Sequence, residues 1–511
     1  MRQDGAGNLD LNGALRTPSA AAGRDAHVET NYHGSVQRTL EAEKDTQQSA
    51  STISSTSGSR PSTGQGPTAI PPPPDGGYGW VCAVCVALIN AHTWGLHASY
   101  AVFLAHFLAN DIFPGTSPLA FAFVGSLGVS CALALSPVAT FCVGKFGTRT
   151  TLLCGTVLET AGLVTAGFSR EIWHLFLTQG ILFGFGMGLV FIPAAGIVPQ
   201  WFSVRRSLAN GVAACGSGVG GLLYSLAAGA IIRNLGLQWA FFIFGALAFA
   251  VNGTCAMVIR DRNKVIGTSQ LAFDMSFFRR PEFLLLLAFS WFSVLGYIIL
   301  IFSLGHYSNT IGLNPSEASI ITALFNLGQI FGRPSIGFFS DLVGRFNLSA
   351  LTSLFVGIFI FAIWINAHLY GVLIVFAILC GSVAGTFWAT IGPLTVEVVG
   401  LKDMPSALNL VWLAILLPSL FSEPIGLQIV ESTGSYLGTQ IFTGFLFVAA
   451  ACCLVGLRGW KVGQERELAR LAESTNSHQV SLRQDVDYYL KASNQAGTRA
   501  ILADFWKPKR V

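Results

Sequence analysis

The sequence predicts an all-α membrane protein with twelve transmembrane helices in two six-helix halves. Three observations carry that reading. Of 511 residues, 52% are hydrophobic and only 11% charged. Soluble domains carry about 25% charged residues, so most of this surface has to face lipid. Apolar runs long enough to cross a bilayer, roughly 20 residues each, recur twelve times. Basic residues fall in alternate loops between those runs.

The elements follow in order. Residues 1–74 are rich in Ser, Thr, Gln and Gly and poor in apolar side chains. Such a segment cannot bury enough surface to offset its ordering entropy, and a disordered cytosolic tail is expected. Its first 70 residues hold no apolar core segment, so no secretory signal peptide is expected. Pro71 to Pro74 should form a short polyproline spacer. The apolar runs lie near 80–106, 118–143, 150–168, 173–198, 208–232, 238–259, 283–305, 317–340, 348–367, 371–396, 406–430 and 437–457. Only helices or closed barrels satisfy their backbone groups in lipid. The runs lack the alternation of barrel strands, so they read as helices.

Loop charge sets the orientation. Counted from a cytosolic N-terminus, the even-numbered loops carry eleven basic residues, among them Lys145, Arg149, Arg205, Arg206 and Arg345. The odd-numbered loops carry two, Arg170 and Arg233. This bias predicts both termini in the cytosol. The charged loop 260–282 then divides an N-terminal half, 75–259, from a C-terminal half, 283–458. Residues 459–511 form a cytosolic C-terminal tail. Its segment 464–473 has an amphipathic helical pattern, and Phe505, Trp506, Lys507, Lys509 and Arg510 lie near its end.

Several function classes drop out. A formal charge of +4, scattered along the chain, does not suggest nucleic acid as a partner. The ten cysteines sit in or beside apolar runs, where a thiol behaves as a small hydrophobe. Cys82-x-x-Cys85 has no second pair, so no metal and no cofactor are expected. No Walker loop is present, which argues against ATP-driven pumping. No cluster of His, Asp or Ser shares one depth, so an enzyme is not expected.

Two turns carry related motifs. Gly337-x-x-x-Asp341-x-x-Gly344-Arg345 lies between helices eight and nine. Gly144-Lys145-Phe146-Gly147-Thr148-Arg149 occupies the matching place between helices two and three. Glycines there permit a tight turn, and the charges can pair with helix ends on one side of the membrane. Both resemble the loop signature of the major facilitator superfamily, with Gly144 standing where the first copy would carry its Asp. That resemblance implies parallel six-helix repeats with a binding site between them at mid-depth.

Two further stretches narrow the likeness. Asp75-Gly76-Gly77-Tyr78-Gly79-Trp80 resembles the first-helix signature of the monocarboxylate porter family. The stretch from Trp201-Phe202-Ser203-Val204-Arg205-Arg206 to Gly220 resembles its second signature and departs from it at Val204 and Cys215. Asn90 to Gly95, with Tyr100 and Phe103, is similar to the fungal branch. Read from the residues alone, Trp80 suits the interface. Gly211, Gly216, Gly218 and Gly220 give helix five a small face that lets other helices approach closely.

A charge inside the membrane is a functional candidate by default. Arg333 lies eight residues before Asp341, roughly 12 Å into the membrane at 1.5 Å per residue. Its guanidinium offers a fork of donors to a carboxylate, and the family likeness places a substrate-binding Arg there. Well-known animal members also carry a Lys on helix one and an Asp one turn before that Arg. The matching positions here are Ala98 and Gln329, so their proton chemistry does not carry over. His97, which titrates near neutral pH, is the candidate replacement, and Glu159 and Glu423 are candidate proton carriers. Asn326, Trp94, Tyr100, Trp291, Tyr297, Phe325, Phe387, Trp388 and Trp412 are candidate cavity residues.

The chain is thus expected to be a secondary active or facilitative transporter of a small organic solute, a monocarboxylate-like anion first. It would work by alternating access in the plasma membrane, with protons as a candidate co-substrate. The alternatives are a carrier of a riboflavin-like vitamin, an exporter of a secondary-metabolite acid, and a non-transporting nutrient sensor on the same scaffold.

Overall fold

A computed structural model describes residues 72–271 and 273–475. The expectations for the N-terminal tail and for Phe505 to Arg510 fall outside the described residues. Twelve helical rods follow one another. In the first half they are α1 (Tyr78–Phe107), α2 (Pro118–Ala134 and Ser136–Phe146), α3 (Thr148–Ala166), α4 (Ile172–Trp201), α5 (Arg206–Leu235) and α6 (Leu237–Val258). In the second half they are α7 (Pro281–Thr310), α8 (Pro315–Val343), α9 (Arg345–Asn366), α10 (Tyr370–Val399), α11 (Met404–Thr433) and α12 (Leu437–Thr475).

Nine of these rods are long and apolar enough to cross a membrane, and the 43° bend in α2 makes a tenth when its two pieces count as one. The other two are α3 and α8, which carry Arg149 and Glu159, and Glu317, Arg333 and Asp341. The outer surface is apolar: Phe331, Leu226 and Phe141 are all more than half exposed. In water such a surface would cause aggregation; in a bilayer it is the solvated face.

Glycine sets the closest helix contacts. A Cβ on Gly216 would stand 1.9 Å from the Ala87 carbonyl oxygen, and one on Gly220 would stand 2.3 Å from that of Ala91. These two positions seat α5 on α1. A Cβ on Gly211 would meet the Arg333 carbonyl oxygen at 2.4 Å, and one on Gly337 would meet that of Ser207 at 2.3 Å. This second pair seats α5 on α8 across the two halves, as small faces allow in membranes.

The start of α1 and the far end of α12 share one face, called here the termini face. Asp75 bonds Ser203, Ser203 accepts from Arg345, and Arg345 pairs with Glu397. Glu397 also lies 3.5 Å from Lys461 on α12. An even number of crossings is required for that arrangement. The last helix does not stop at 457, where the apolar run ends, nor at 458, the expected limit of the half. It continues to Thr475, because the Gln464–Glu473 stretch is itself a good helix former, and Glu467 pairs with Arg470 at 3.6 Å.

Candidate functional site: a cavity between the halves and a charged latch

A cavity of about 370 Å³ lies between the halves. Arg333 of α8 forms part of its wall and is 3% exposed. Its Nη1 donates to the Ala214 carbonyl at 2.7 Å and to the Ser217 hydroxyl, both on α5. Its Nη2 donates to the Tyr297 hydroxyl of α7 at 3.2 Å and to Gln329 Oε1. Tyr297 in turn donates to Gln329 Oε1 at 2.8 Å, and Gln329 Nε2 donates to Asn326 Oδ1 at 3.1 Å. Asn326, Gln329 and Arg333 stand three and four residues apart, so one helix face presents all three. Arg333 Nε has no hydrogen-bond partner among the described residues. A Cβ on Gly385, at the break inside α10, would sit 2.7 Å from that atom. Glycine there makes the room the guanidinium occupies. No carboxylate lies within ion-pair distance of Arg333 among the described residues.

Aromatic rings from both halves make the floor. Trp388 of α10 lies 4.9 Å from Trp94 of α1 and stacks at 14° on Trp412 of α11, 6.4 Å away. Phe191 of α4 stands 5.2 Å from both Trp94 and Trp412. Among the described residues the indole N–H groups of Trp94 and Trp412 have no acceptor. Further along the cavity, His97 and Tyr100 of α1 and Glu423 of α11 enter the lining. The His97 ring lies over Phe183 at 6.3 Å. Tyr100 donates to the Phe121 carbonyl at 2.8 Å.

Of the residues singled out from sequence, Arg333, Gln329, Asn326, His97 and Glu423 converge on this cavity. Glu159 does not: it is fully buried on α3 and bonded to Asn252 of α6. Phe325 and Phe387 are buried behind the lining, and Trp291 is 36% exposed. Ser217 and the Ala214 carbonyl were not anticipated. A serine on a glycine-rich helix reads as packing, and a carbonyl leaves no mark in sequence.

The motif residues assemble on the termini face. Asp341 accepts the backbone N–H of Ser207 at 3.1 Å and of Leu208 at 2.9 Å, at the first turn of α5. Arg345 lies 3.3 Å from Asp341, pairs with Glu397 and donates to the Ser203 carbonyl at 2.6 Å. Arg206 stands 3.9 Å from Glu397. Gly344, at φ 114°, caps the start of α9, and Gly147, at φ 83°, caps α3. In the first copy Lys145 lies over the rings of Phe141 and Phe146, and Arg149 Nε donates to the Ile259 carbonyl at 3.3 Å. The Arg205 side chain is exposed. Glu397 escaped the sequence reading, since an acid near a helix end looks like ordinary surface.

The two longer signatures pack on each other. Asp75 accepts the N–H groups of Ser203 at 2.6 Å and Val204 at 2.8 Å and the Ser203 hydroxyl, while its own N–H bonds the Trp201 carbonyl at 3.0 Å. Partial burial pushes the Asp75 carboxyl up, but the Ser203 hydroxyl and the backbone donors of Ser203, Val204 and Arg205 together outweigh it and hold the group below its ordinary value. Gly76 accepts from the Gly79 N–H at 3.1 Å, and Gly77, at φ 57°, caps α1. Trp80 meets the Phe202 ring edge-on at 5.0 Å.

Comparison with known proteins agrees with this architecture. A family model described as Major Facilitator Superfamily matches residues 82–307 and 285–508. The chain is 31% identical over 417 residues to the probable transporter MCH2 of Saccharomyces cerevisiae, covering 80% of this chain and 88% of that protein. It is 26% identical over 401 residues to the fujikurins efflux protein of Gibberella fujikuroi, covering 76% and 84%. Among solved structures, the proton:xylose symporter XylE shares the fold with a TM-score of 0.59 at 14% identity, over 74% of this chain and 94% of that one. FucP, in an outward conformation, does so with a TM-score of 0.56 at 13% identity, over 73% and 98%. The chain belongs to the Major Facilitator Superfamily, as a multi-pass membrane transporter of small solutes.

Proposed function

We propose that the chain carries an organic anion with an apolar, flat body, of the monocarboxylate type, and that Arg333 anchors the charged end. One observation carries the reading: the cavity has a surplus of donors. Arg333 is a guanidinium held only by neutral acceptors, and its Nε and the indole N–H groups of Trp94 and Trp412 are unpartnered. A buried charge of this kind requires an opposite one. The tryptophan floor suits an apolar or aromatic body, and about 370 Å³ exceeds what a three-carbon acid fills.

His97 and Glu423, in the same lining, are the proposed proton carriers in place of the groups lost at Ala98 and Gln329. Eleven basic residues on the termini side against two on the other favour a cytosolic termini face in the plasma membrane. The residue limits 75–259 and 283–458 are the proposed halves. A second reading, export of a larger secondary-metabolite acid, draws on the tryptophan walls and on the relative named as a fujikurins efflux protein.

The test is uptake into proteoliposomes from a panel of aliphatic and aromatic monocarboxylates and riboflavin, with and without a pH gradient. Arg333→Ala should abolish transport of the acids at unchanged protein level, and Arg333→Lys should restore part of it. Acid transport that survives Arg333→Ala intact refutes the anchor.

A further inference from the structure

The first half holds a second polar site, separate from the cavity. Glu159 lies eleven residues into α3, about 16 Å along the helix axis at 1.5 Å per residue. Both it and Asn252 of α6 are fully buried. Asn252 Nδ2 donates to Glu159 Oε2 at 2.9 Å. The remaining polar atom of each side chain, Glu159 Oε1 and the Asn252 amide oxygen Oδ1, has no hydrogen-bond partner among the described residues.

Among the described residues the surroundings offer no counter-charge. On the α4 side a Cβ on Gly186 would stand 2.2 Å from the Glu159 nitrogen, so α4 lies directly on the α3 backbone there. Phe183 and Met187 of α4, Tyr224 of α5 and Ala248 of α6 belong to one buried apolar cluster. Tyr224 is the titratable group within electrostatic range of the carboxyl, and its hydroxyl is also unpartnered. Beyond it, His92 of α1 stands edge-on to the Tyr224 ring at 5.6 Å, with Nδ1 2.8 Å from the Leu88 carbonyl oxygen. No Lys or Arg pairs with Glu159 among the described residues.

An ionised carboxylate in such a place would leave one oxygen without a donor and the charge without a partner, which burial in a low dielectric strongly disfavours. We propose that Glu159 is a proton-binding site: Oε1 carries a proton and donates it to Asn252 Oδ1, closing a two-bond acid–amide pair with the Nδ2–H···Oε2 bond already in place. The proton passes from hydronium to the carboxylate: one O–H bond of H3O+ breaks, one forms at Oε1, water is released, and one negative charge is neutralised. It gives both stranded oxygens a partner at once. The site is independent of the anion cavity, whose lining does not include Glu159.

Infrared difference spectra of the purified chain in lipid nanodiscs test this at pH 7, well above the ordinary Glu pKa of about 4.3. Wild type minus Glu159→Gln should show the carbonyl band of one un-ionised carboxyl and no carboxylate band. Glutamine can form the same two-bond pair with Asn252, so this variant should keep its fold. Wild type against Asn252→Ala supplies a second readout that needs no change at Glu159. The un-ionised band should persist and move to higher frequency, because Oε2 has lost its donor. A carboxylate band in the first difference, or a carbonyl band that ignores Asn252→Ala, overturns the assignment.

Discussion

Replacing Asp341 by Asn should loosen the termini face by a calculable amount. In the native chain the carboxylate accepts two backbone N–H groups from the first turn of α5, at 3.1 and 2.9 Å, and faces Arg345 at 3.3 Å. An amide keeps one acceptor oxygen and turns an NH2 toward the other N–H. The variant therefore loses about one hydrogen bond to a charged group, roughly 1.5–3 kcal/mol, and the attraction of an anion to a helix N-terminus, about 0.3–1 kcal/mol. The sum is about 2–4 kcal/mol, or roughly 30- to 700-fold in the opening equilibrium at about 1.4 kcal/mol per tenfold. Hydrogen–deuterium exchange of a peptide covering 203–212 reads this directly, because the Ser207 and Leu208 amides are the ones bonded. Their exchange should accelerate by about that factor while segments of α9 and α12 far from the face stay as they were. Unchanged exchange at Ser207 and Leu208 would show that the carboxylate does not hold the halves together.

Asp75→Asn should lower thermal stability, and the gap from wild type should depend on pH. The folded carboxyl sits below its unfolded value of 3.8. Its stabilisation is therefore complete above that value and fades as pH falls through the folded value; a gap in melting temperature that does not shrink on acidification contradicts the clasp. Gly385→Ala should press on Arg333 from 2.7 Å and raise KM for the transported acid about tenfold, roughly 1.4 kcal/mol, at normal expression; an unchanged KM would show that the guanidinium has room. Trp388→Ala removes four ring contacts, with Trp94, Tyr297, Phe387 and Trp412, about 0.5–1.5 kcal/mol each. Transport assays should show aromatic acids losing more affinity than three-carbon acids, and an equal loss for both would remove the tryptophans from substrate contact.

What the sequence discloses depends on how local the physics is. A helix that crosses lipid must be largely apolar along its own length, so all twelve rods are legible, including the two most polar, α3 and α8. Hydropathy marks the end of the apolar run of α12, at 457, and the amphipathic pattern over 464–473 marks the helix beyond it, which continues to Thr475 on intrinsic propensity. Asn326, Gln329 and Arg333 can be read together because helical periodicity puts them on one face. Their acceptors Ser217 and Tyr297 come from other helices, more than 30 residues away in sequence. The same applies to Asp75 and Ser203, 128 residues apart. Glu159 stands out as a charge, but nothing local to α3 says that it turns toward Asn252 rather than toward the cavity.

The two halves hold the termini face by unequal means. The turn between α8 and α9 sends a carboxylate to the start of α5. The matching turn between α2 and α3 has Gly144 at that place, and the helix it would reach is α11. The loop between α6 and α7 fills the gap. A Cβ on Gly144 would meet Gln270 Cβ at 3.2 Å, so the missing side chain leaves room for the loop. Ser269 N–H bonds the Lys402 carbonyl at 2.9 Å. Leu271 N–H bonds Ser406 Oγ at 3.0 Å, and that hydroxyl donates to the Ser269 carbonyl at 3.0 Å. These bonds are neutral, and charge-assisted bonds are roughly twice as strong. Water replaces neutral bonds at a smaller loss, so the α5–α8 seam is the stronger of the two. Removing the Asp341 charge leaves Glu397, with Arg345, Arg206 and Lys461 around it, as an ionic link on that face.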